Sequence, residues 1–433
     1  MFFVSNINVA ILGLGTVGQG VYQLIKNYQE KNQNPKIVLK YIFVRNQKKA
    51  EDLSAKFKID LKLFTWDIET VIKDVDIDIV VETMGGVDAT HEILLDLIKH
   101  KKNIVSANKD LIALKGESIF EAVKKQQTAF LFEAAVAGGI PIINTLKQSL
   151  AANKIDKLYG IINGTTNYIL DMMKNHNLSF EQALKDAQQL GFAESDPTND
   201  VAGHDAAFKT AILASIISNK RVDVQNIYRE GIEKITAQDI NAANKKNYVI
   251  KLLGIIDNQD TELDARVHPV FVSKSHPLAK VDAENNAIFV QGNAVQDLTL
   301  IGKGAGSLPT ASAVMSDVLI IASALSQKQN VNLQLSCQHS EYAKLKNFAE
   351  IKNCFYLRLV LEDKIGVLKD LGGVMADMNA NVKFINQYEN QNNQAHADVF
   401  TDPISEATMQ KMLEKLKQMD SIRAVESVIR VLA

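Results

Sequence analysis

The chain opens with a repeating contrast between short apolar runs and longer segments in which apolar residues recur every three or four positions. NVAIL is the first run. A glycine turn follows, and TVGQGVYQLIKNY then has the spacing of an amphipathic helix. KIVLKYIFVR reads as a strand, DIDIVVETMGG as another, ATHEILLDLIKHKK as a helix, and NIVSANK and TAFLFEA as two further strands. DIDIVV ends in consecutive apolar residues, which suits a strand covered on both faces in a parallel sheet. Strand and helix alternate in this way to about residue 140, so the N-terminal part predicts an α/β fold, a Rossmann-type doubly wound parallel sheet.

A second pattern starts near Cys354. FYLRLVLE, NVKFINQYE, NQAHADVFTD and SIRAVESVIRVL read as strands, and IGVLKDLGGVMADM and ISEATMQKMLEKLKQM as helices. In the first helix Val367, Leu368, Leu371, Val374, Met375 and Met378 fall on one face. The order βαββαβ is the ferredoxin-like unit. The stretch before it, Gln329 to Asn353, is polar and weakly periodic and reads as a linker.

Composition narrows the class of protein. The 433 residues leave room for two or three domains, and 46% hydrophobic with 23% charged residues is ordinary globular usage. A net charge of −2 offers nothing to a nucleic acid, and no uninterrupted apolar run reaches the ~18 residues of a membrane span. The N-terminus reads as the start of the fold and not as a signal peptide. The two cysteines, Cys337 and Cys354, suit neither a disulfide framework nor a paired zinc site, so a reducing cytoplasm is expected.

Two stretches carry chemistry. Gly13, Gly15 and Gly18 form G-x-G-x-x-G between strand and helix, where backbone N–H groups and the helix dipole favour a pyrophosphate. No acid lies between Ile37 and Ala50, but Arg45, Lys48 and Lys49 do. That favours NADP over NAD, with Arg45 either a partner for a 2′-phosphate or a solvated loop residue. The other stretch is AESDPTNDVAGHDAAFKT, Ala193 to Thr210, which crowds Glu194, Asp196, Asp200, Asp205 and Lys209 before the apolar AILASIIS. Asp205 and Lys209 are four apart on a helix. An exposed pair of this kind is worth only about 0–1 kcal/mol. Here the flanking AAFKTAILASII has almost no other polar face, which points to a partly buried lysine able to trade a proton. Asp200 has a competing reading as a helix N-cap.

GLGTVGQGV, ETMGG, SANKDLIA, EAAVAGGIPII, GIINGTTNYIL, GFAESDPTNDVAGHDAAFK and GAGSLPTASAV follow one another along the chain. Together they resemble homoserine dehydrogenase from end to end, and the tail resembles an ACT domain. The resemblance implies a dinucleotide-binding domain over 1–140 and an α+β catalytic and dimerisation domain over 141–328, whose last helix returns to the nucleotide domain. A linker over 329–353 and an ACT domain over 354–433 complete it. It implies reversible NAD(P)-linked interconversion of L-homoserine and L-aspartate 4-semialdehyde, in the biosynthesis of threonine, methionine and isoleucine.

By the same resemblance Lys209 is the acid/base, Asp205 its partner, and Lys109 lies at the nicotinamide and substrate. Glu194 binds the substrate's ammonium with help from Asp200. Gly13, Gly15, Thr16, Val17, Gly18, Arg45, Thr83, Lys109 and Gly304 bind the cofactor. A sodium ion sits on Glu133 and the carbonyls of Val136, Gly138 and Ile140. From the residues alone that last segment is a strand-to-helix turn with Pro141 in the first helical turn.

The ACT resemblance implies a homodimer or homotetramer and an amino-acid effector, L-threonine in this pathway. One departure weakens it: D-x-P-G-V-L appears as DKIGVL, with Ile365 in place of the proline. A purely structural dimerisation module is the competing reading. Other activities on the same scaffold are weaker. An enzyme forming an acyl phosphate from the semialdehyde needs a cysteine nucleophile in its catalytic region, where none occurs. An amino-acid-sensing regulatory protein with a non-catalytic nucleotide fold would have no use for Lys109, Glu194, Asp205 and Lys209 together.

Overall fold

In the computed structural model the described residues are 6–31, 33–329, 335, 337, 339, 341–389 and 395–432. They form two compact units, each assembled from three segments. The first comprises Met1–Gly164, Asp205–Ile227 and Glu284–Ala343, and the second Thr165–His204, Tyr228–Ala283 and Lys344–Ala433.

The first unit is built on β1 (Ile7–Leu12), β2 (Ile37–Phe43), β3 (Phe64–Thr65), β4 (Ile79–Glu82), β5 (Asn103–Ser106) and β6 (Phe130–Leu131). They are parallel and ordered β3-β2-β1-β4-β5-β6, the doubly wound arrangement. Every residue of β4 is buried, as its run of apolar side chains requires. Val9, Ile11, Ile79, Val81 and Val105 share one core with Val21 and Ile25 of the helix Thr16–Glu30 and with Val314, Val318 and Ile321 of the helix Ser307–Ser326. That last helix is apolar and long enough to span a bilayer by composition alone, yet it packs within this core. Its crossing with Thr16–Glu30 is close: a Cβ on Gly20 would lie 2.4 Å from the Ser307 carbonyl oxygen. The stretch TAFLFEA is a strand only at Phe130–Leu131, because a 3₁₀ turn, Glu133–Ala135, bends the chain away.

Further strands are β7 (Ile155–Ile161), β8 (Tyr228–Arg229), β9 (Tyr248–Asp257), β10 (Asp264–Ser273), β11 (Asn285–Gly292) and β12 (Gln296–Lys303). In the first unit β11 pairs antiparallel with both β7 and β12. In the second, β9 and β10 form a long antiparallel pair, and β8 adds to β10.

The tail folds as β13 (Lys352–Leu361), β14 (Val382–Glu389), β15 (Ala395–Thr401), β16 (Ile404–Ser405) and β17 (Ile422–Val431), with helices Val367–Asp377 and Glu406–Lys417. The order β17-β13-β15-β14 is the ferredoxin-like sheet, and β17 continues it onto β10 through Val270–Arg430 and Phe271–Val431. Of the face read from the sequence, Val367, Leu371 and Met375 are buried and Val374 and Met378 partly so, whereas Leu368 is exposed. Residues 330–334, 336, 338 and 340 of the expected linker lie outside the described residues. The rest of it is pinned: Tyr342 bridges to Arg221, Leu345 bridges to Leu263, and the Phe348 ring stacks on Tyr228.

One buried cation in the second unit makes a measurable prediction. Lys251, on β9, is 2% exposed, and its Nζ donates to Asn167 Oδ1 at 2.8 Å and to the Val281 carbonyl at 2.6 Å. Burial, with the like charge of Lys174, pushes its pKa down to about 8. The unfolded lysine keeps its proton to higher pH, so the unfolded chain binds more protons between about pH 8 and 10.5 and stability rises across that window. Urea unfolding of the wild type and Lys251→Met should therefore diverge by roughly 3 kcal/mol in the wild type's favour between those limits. A constant difference would contradict it.

Candidate active site

The glycine turn between β1 and the helix Thr16–Glu30 edges a cleft of about 380 Å³, a size suited to a small ligand or part of a dinucleotide. Gly13, Gly15, Arg45, Lys49, Thr83, Met84, Gly85 and Gly86 line it. Gly13 has φ +91°, and a Cβ on Gly18 would fall 2.2 Å from the Gly13 carbonyl oxygen, so both must be glycine for the turn to close. A Cβ on Gly15 would meet nothing within 4 Å, so the missing side chain leaves open space at the helix start. Thr83 Oγ donates to the carbonyl of Gly13 at 2.9 Å and clamps the turn to the end of β4. Thr16 accepts a hydrogen bond from Ser307 Oγ on its carbonyl, and Val17 packs on the core. Arg45 and Lys49 bring two cations, without an acid, to the β2 side of the cleft.

In the same unit the helix His204–Ser218 carries the Asp205–Lys209 pair foreseen from spacing. Lys209 and Asp205 are each only 12% exposed at the side chain. Lys209 Nζ lies 2.7 Å from Asp205 Oδ2 and donates to the Ile162 carbonyl at 2.8 Å. Lys109, the first residue of the helix Lys109–Gln126, brings its Nζ to 3.3 Å from Asp205 Oδ1. Asn163 Nδ2 donates to Asp205 Oδ2 at 2.9 Å. Burial pushes the Asp205 carboxyl up, but Lys209, Lys109 and the hydrogen bonds from Lys209 and Asn163 outweigh it and hold the group below its ordinary value. Asp110, 44% exposed at the side chain, lies 3.7 Å from the Lys109 Nζ, so the more deeply withdrawn carboxylate of Asp205 is the one that both ammonium groups share.

Glu194 and Asp200 belong to the second unit. Glu194 is exposed, and its carbonyl accepts from Gln188 Nε2. The Phe192 carbonyl accepts from Thr165 Oγ at 2.6 Å, and the Phe192 ring lies on Tyr168, which fastens the acidic loop to the helix Gly164–His176. Asp200 is not an N-cap. It lies inside the short helix Thr198–Val201, whose first N–H, that of Thr198, donates to Asp196 Oδ1, because Pro197 starts that turn three residues earlier than the cap reading assumed.

Glu133 is fully buried, and its two carboxylate oxygens accept the N–H groups of Ile143 at 2.8 Å and Asn144 at 2.6 Å. Its own N–H donates to Asp317 Oδ2 at 2.7 Å. Burial first, and Asp317 next, push Glu133 up to about 8, and burial pushes Asp317 up to about 6. Val136, Gly138 and Ile140 follow in the same turn, with Gly138 at φ +53° against the backbone of Gly304. Gly304 is itself packed on Asn286, leaving no room there for a Cβ. Among the described residues no group of three or more His, Cys, Asp or Glu side chains could hold a metal ion.

Sequence reasoning passed over Asn163, whose Asn-Gly setting is that of a turn, and Asp317, which is one acid in an apolar helix. It also passed over Glu82, whose only signal is a carboxylate at the end of a buried strand.

A doubly wound nucleotide fold, an open glycine turn and a buried lysine–carboxylate cluster define a dinucleotide-dependent oxidoreductase. The family models match in turn: the NAD-binding domain of homoserine dehydrogenase over residues 13–133, homoserine dehydrogenase over 141–319, and the ACT domain over 355–420. The homoserine dehydrogenase of Synechocystis is 39% identical over 99% of this chain and all of its own, and that of Bacillus subtilis 36% identical over 98% of each. The crystal structure of a homoserine dehydrogenase from Thiobacillus denitrificans superposes with a TM-score of 0.91 at 34% identity, covering 99% of this chain and 98% of that one. The chain belongs to the homoserine dehydrogenase family, NAD(P)-dependent oxidoreductases acting on a CH–OH group.

Proposed function

We propose that this protein interconverts L-homoserine and L-aspartate 4-semialdehyde, with Lys209 as the acid/base and NADP as the preferred cofactor, in threonine and methionine biosynthesis. The observation that carries the reading is the ammonium of Lys209, withdrawn from water and held by Asp205. The bound cofactor supplies or accepts the hydride at the carbonyl carbon. As that carbon is reduced, Lys209 gives a proton to the oxygen, and in the oxidation direction the neutral amine takes it from the hydroxyl. Lys109 adds a second positive charge beside the developing oxyanion. Asp205 orients both amines, and Asn163 orients Asp205. Glu194, assisted by Asp200, binds the substrate's ammonium.

Arg45 and Lys49 favour NADP by meeting a 2′-phosphate. Arg45→Asp should raise the KM for NADPH about tenfold or more, while that for NADH changes less than about threefold. Equal losses with both cofactors would refute the phosphate role.

Glu133 with the carbonyls of Val136, Gly138 and Ile140 offers an all-oxygen donor set to a sodium ion, and the buried charge shared with Asp317 suits a cation there. The ACT domain takes an amino-acid effector, L-threonine, and supports assembly into a homodimer or homotetramer in the cytoplasm. Initial rates of semialdehyde reduction with NADPH and NADH, with and without threonine, test the reading. No turnover with either cofactor would reject it.

A further inference from the structure

The carboxylate at the end of β4 is in neither the Asp205–Lys209 pair nor the glycine turn, yet it joins the loop of the nucleotide cleft to the end of β5. Glu82 has no exposed surface, and neither has Ser106, its neighbour in register on β5. Glu82 Oε1 accepts the N–H groups of Met84 at 2.8 Å and Gly85 at 3.1 Å. Glu82 Oε2 accepts from Ser106 Oγ at 2.6 Å. Ser106 Oγ in turn accepts the Asn108 N–H at 3.1 Å, and Asn108 Nδ2 donates to the Gly86 carbonyl at 2.7 Å. The chain of bonds closes on itself: Glu82, the loop 84–86, Asn108, Ser106, and back to Glu82. Asn108 Oδ1 also accepts the Leu111 N–H at 3.1 Å and so caps the helix whose first residue is Lys109.

Two consequences follow from this closure. The loop lining the nucleotide cleft has Gly85 and Gly86 at φ +72° and +75°, a backbone that needs outside support to stay in one conformation. The same ring caps the helix that begins at Lys109, whose Nζ lies 3.3 Å from Asp205 and 3.7 Å from Asp110. A cation at a helix N-terminus opposes the dipole, so the position of Lys109 does not follow from its helix and must be imposed.

We propose that Glu82 is a positioning residue which, through Ser106 and Asn108, holds the cofactor loop and Lys109 in register with one another. The proposal rests on the reading of Lys109 as an active-site ammonium.

Steady-state kinetics and NADPH binding by fluorescence on Ser106→Ala, Glu82→Gln, Lys109→Ala and the double variant Lys109→Ala/Ser106→Ala test it. Ser106→Ala opens the ring on the Lys109 side only, so kcat should fall about tenfold while NADPH affinity stays within about threefold. Glu82→Gln keeps an oxygen for the loop amides and a donor toward Ser106, and should stay within about threefold of wild-type kcat. The double variant should be no slower than Lys109→Ala, because Ser106 acts through Lys109. A Ser106→Ala protein with wild-type kcat beside an impaired Lys109→Ala would overturn the ring alone. A wild-type Lys109→Ala would remove the reading on which it rests. Additive losses in the double variant, or a Glu82→Gln loss as deep as that of Lys109→Ala, would also reject positioning through this ring.

Discussion

Lys209→Ala keeps its fold and its affinity for NADPH but loses about 10²–10⁴-fold in kcat in both directions. The amine contacts Asp205 and the Ile162 carbonyl, and its helix neighbours Ala206, Ile212 and Leu213 are buried. Truncation therefore removes the proton carrier without disturbing the β-strand core. Asp205 keeps Lys109 as a counter-charge at 3.3 Å, so the remaining carboxylate is not left unpaired. The nucleotide cleft is lined by residues of the glycine turn, the end of β2 and the segment after β4, and Lys209 is not among them. Circular dichroism and NADPH fluorescence check the first half of the expectation and initial rates the second.

Asp205→Asn loses stability as well as activity, because the side chain serves two amines at once. Asparagine keeps the shape but leaves Lys209 and Lys109 without their shared anion in a mostly dry site. Removing one partner of such a cluster costs on the order of 3 kcal/mol. Activity falls as well, since the two ammonium groups repel and lose their orientation. The acid limb gives a signed test. The folded-state pKa of Asp205 lies below its unfolded value of 3.8, so its contribution to stability is complete above that value and is lost as pH falls through the folded one. The stability difference between wild type and Asp205→Asn should therefore be largest near neutrality and shrink below about pH 4. A variant as stable as wild type at pH 7 in urea titrations would show that the cluster is not held by this carboxylate.

Most of the architecture was legible in the patterning because local and tertiary preferences agree. The DIDIVV run that suits a strand covered on both faces became β4, fully buried, and the tail's period switches marked a ferredoxin-like sheet. The Asp205–Lys209 contact was legible because helix geometry alone brings residues four apart together. What escaped was tertiary. Lys109 lies almost a hundred positions from Asp205, and nothing in its spacing announces their 3.3 Å approach. Asn163 and Glu82 resemble a turn residue and a strand terminus until the fold brings Asp205 and Ser106 to them. The Asp200 cap failed because Pro197 begins a helical turn before the main helix, a local event that the cap pattern does not separate from a single helix start.

The most direct test of the acid/base claim is chemical rescue of Lys209→Ala. Homoserine oxidation by this variant is followed with increasing concentrations of small primary amines such as methylamine and ethylamine. The proposed mechanism predicts a deeply reduced kcat that rises with amine concentration and is governed by the amine's basicity. A Lys209→Ala protein that turns over at near wild-type rate without added amine would contradict it.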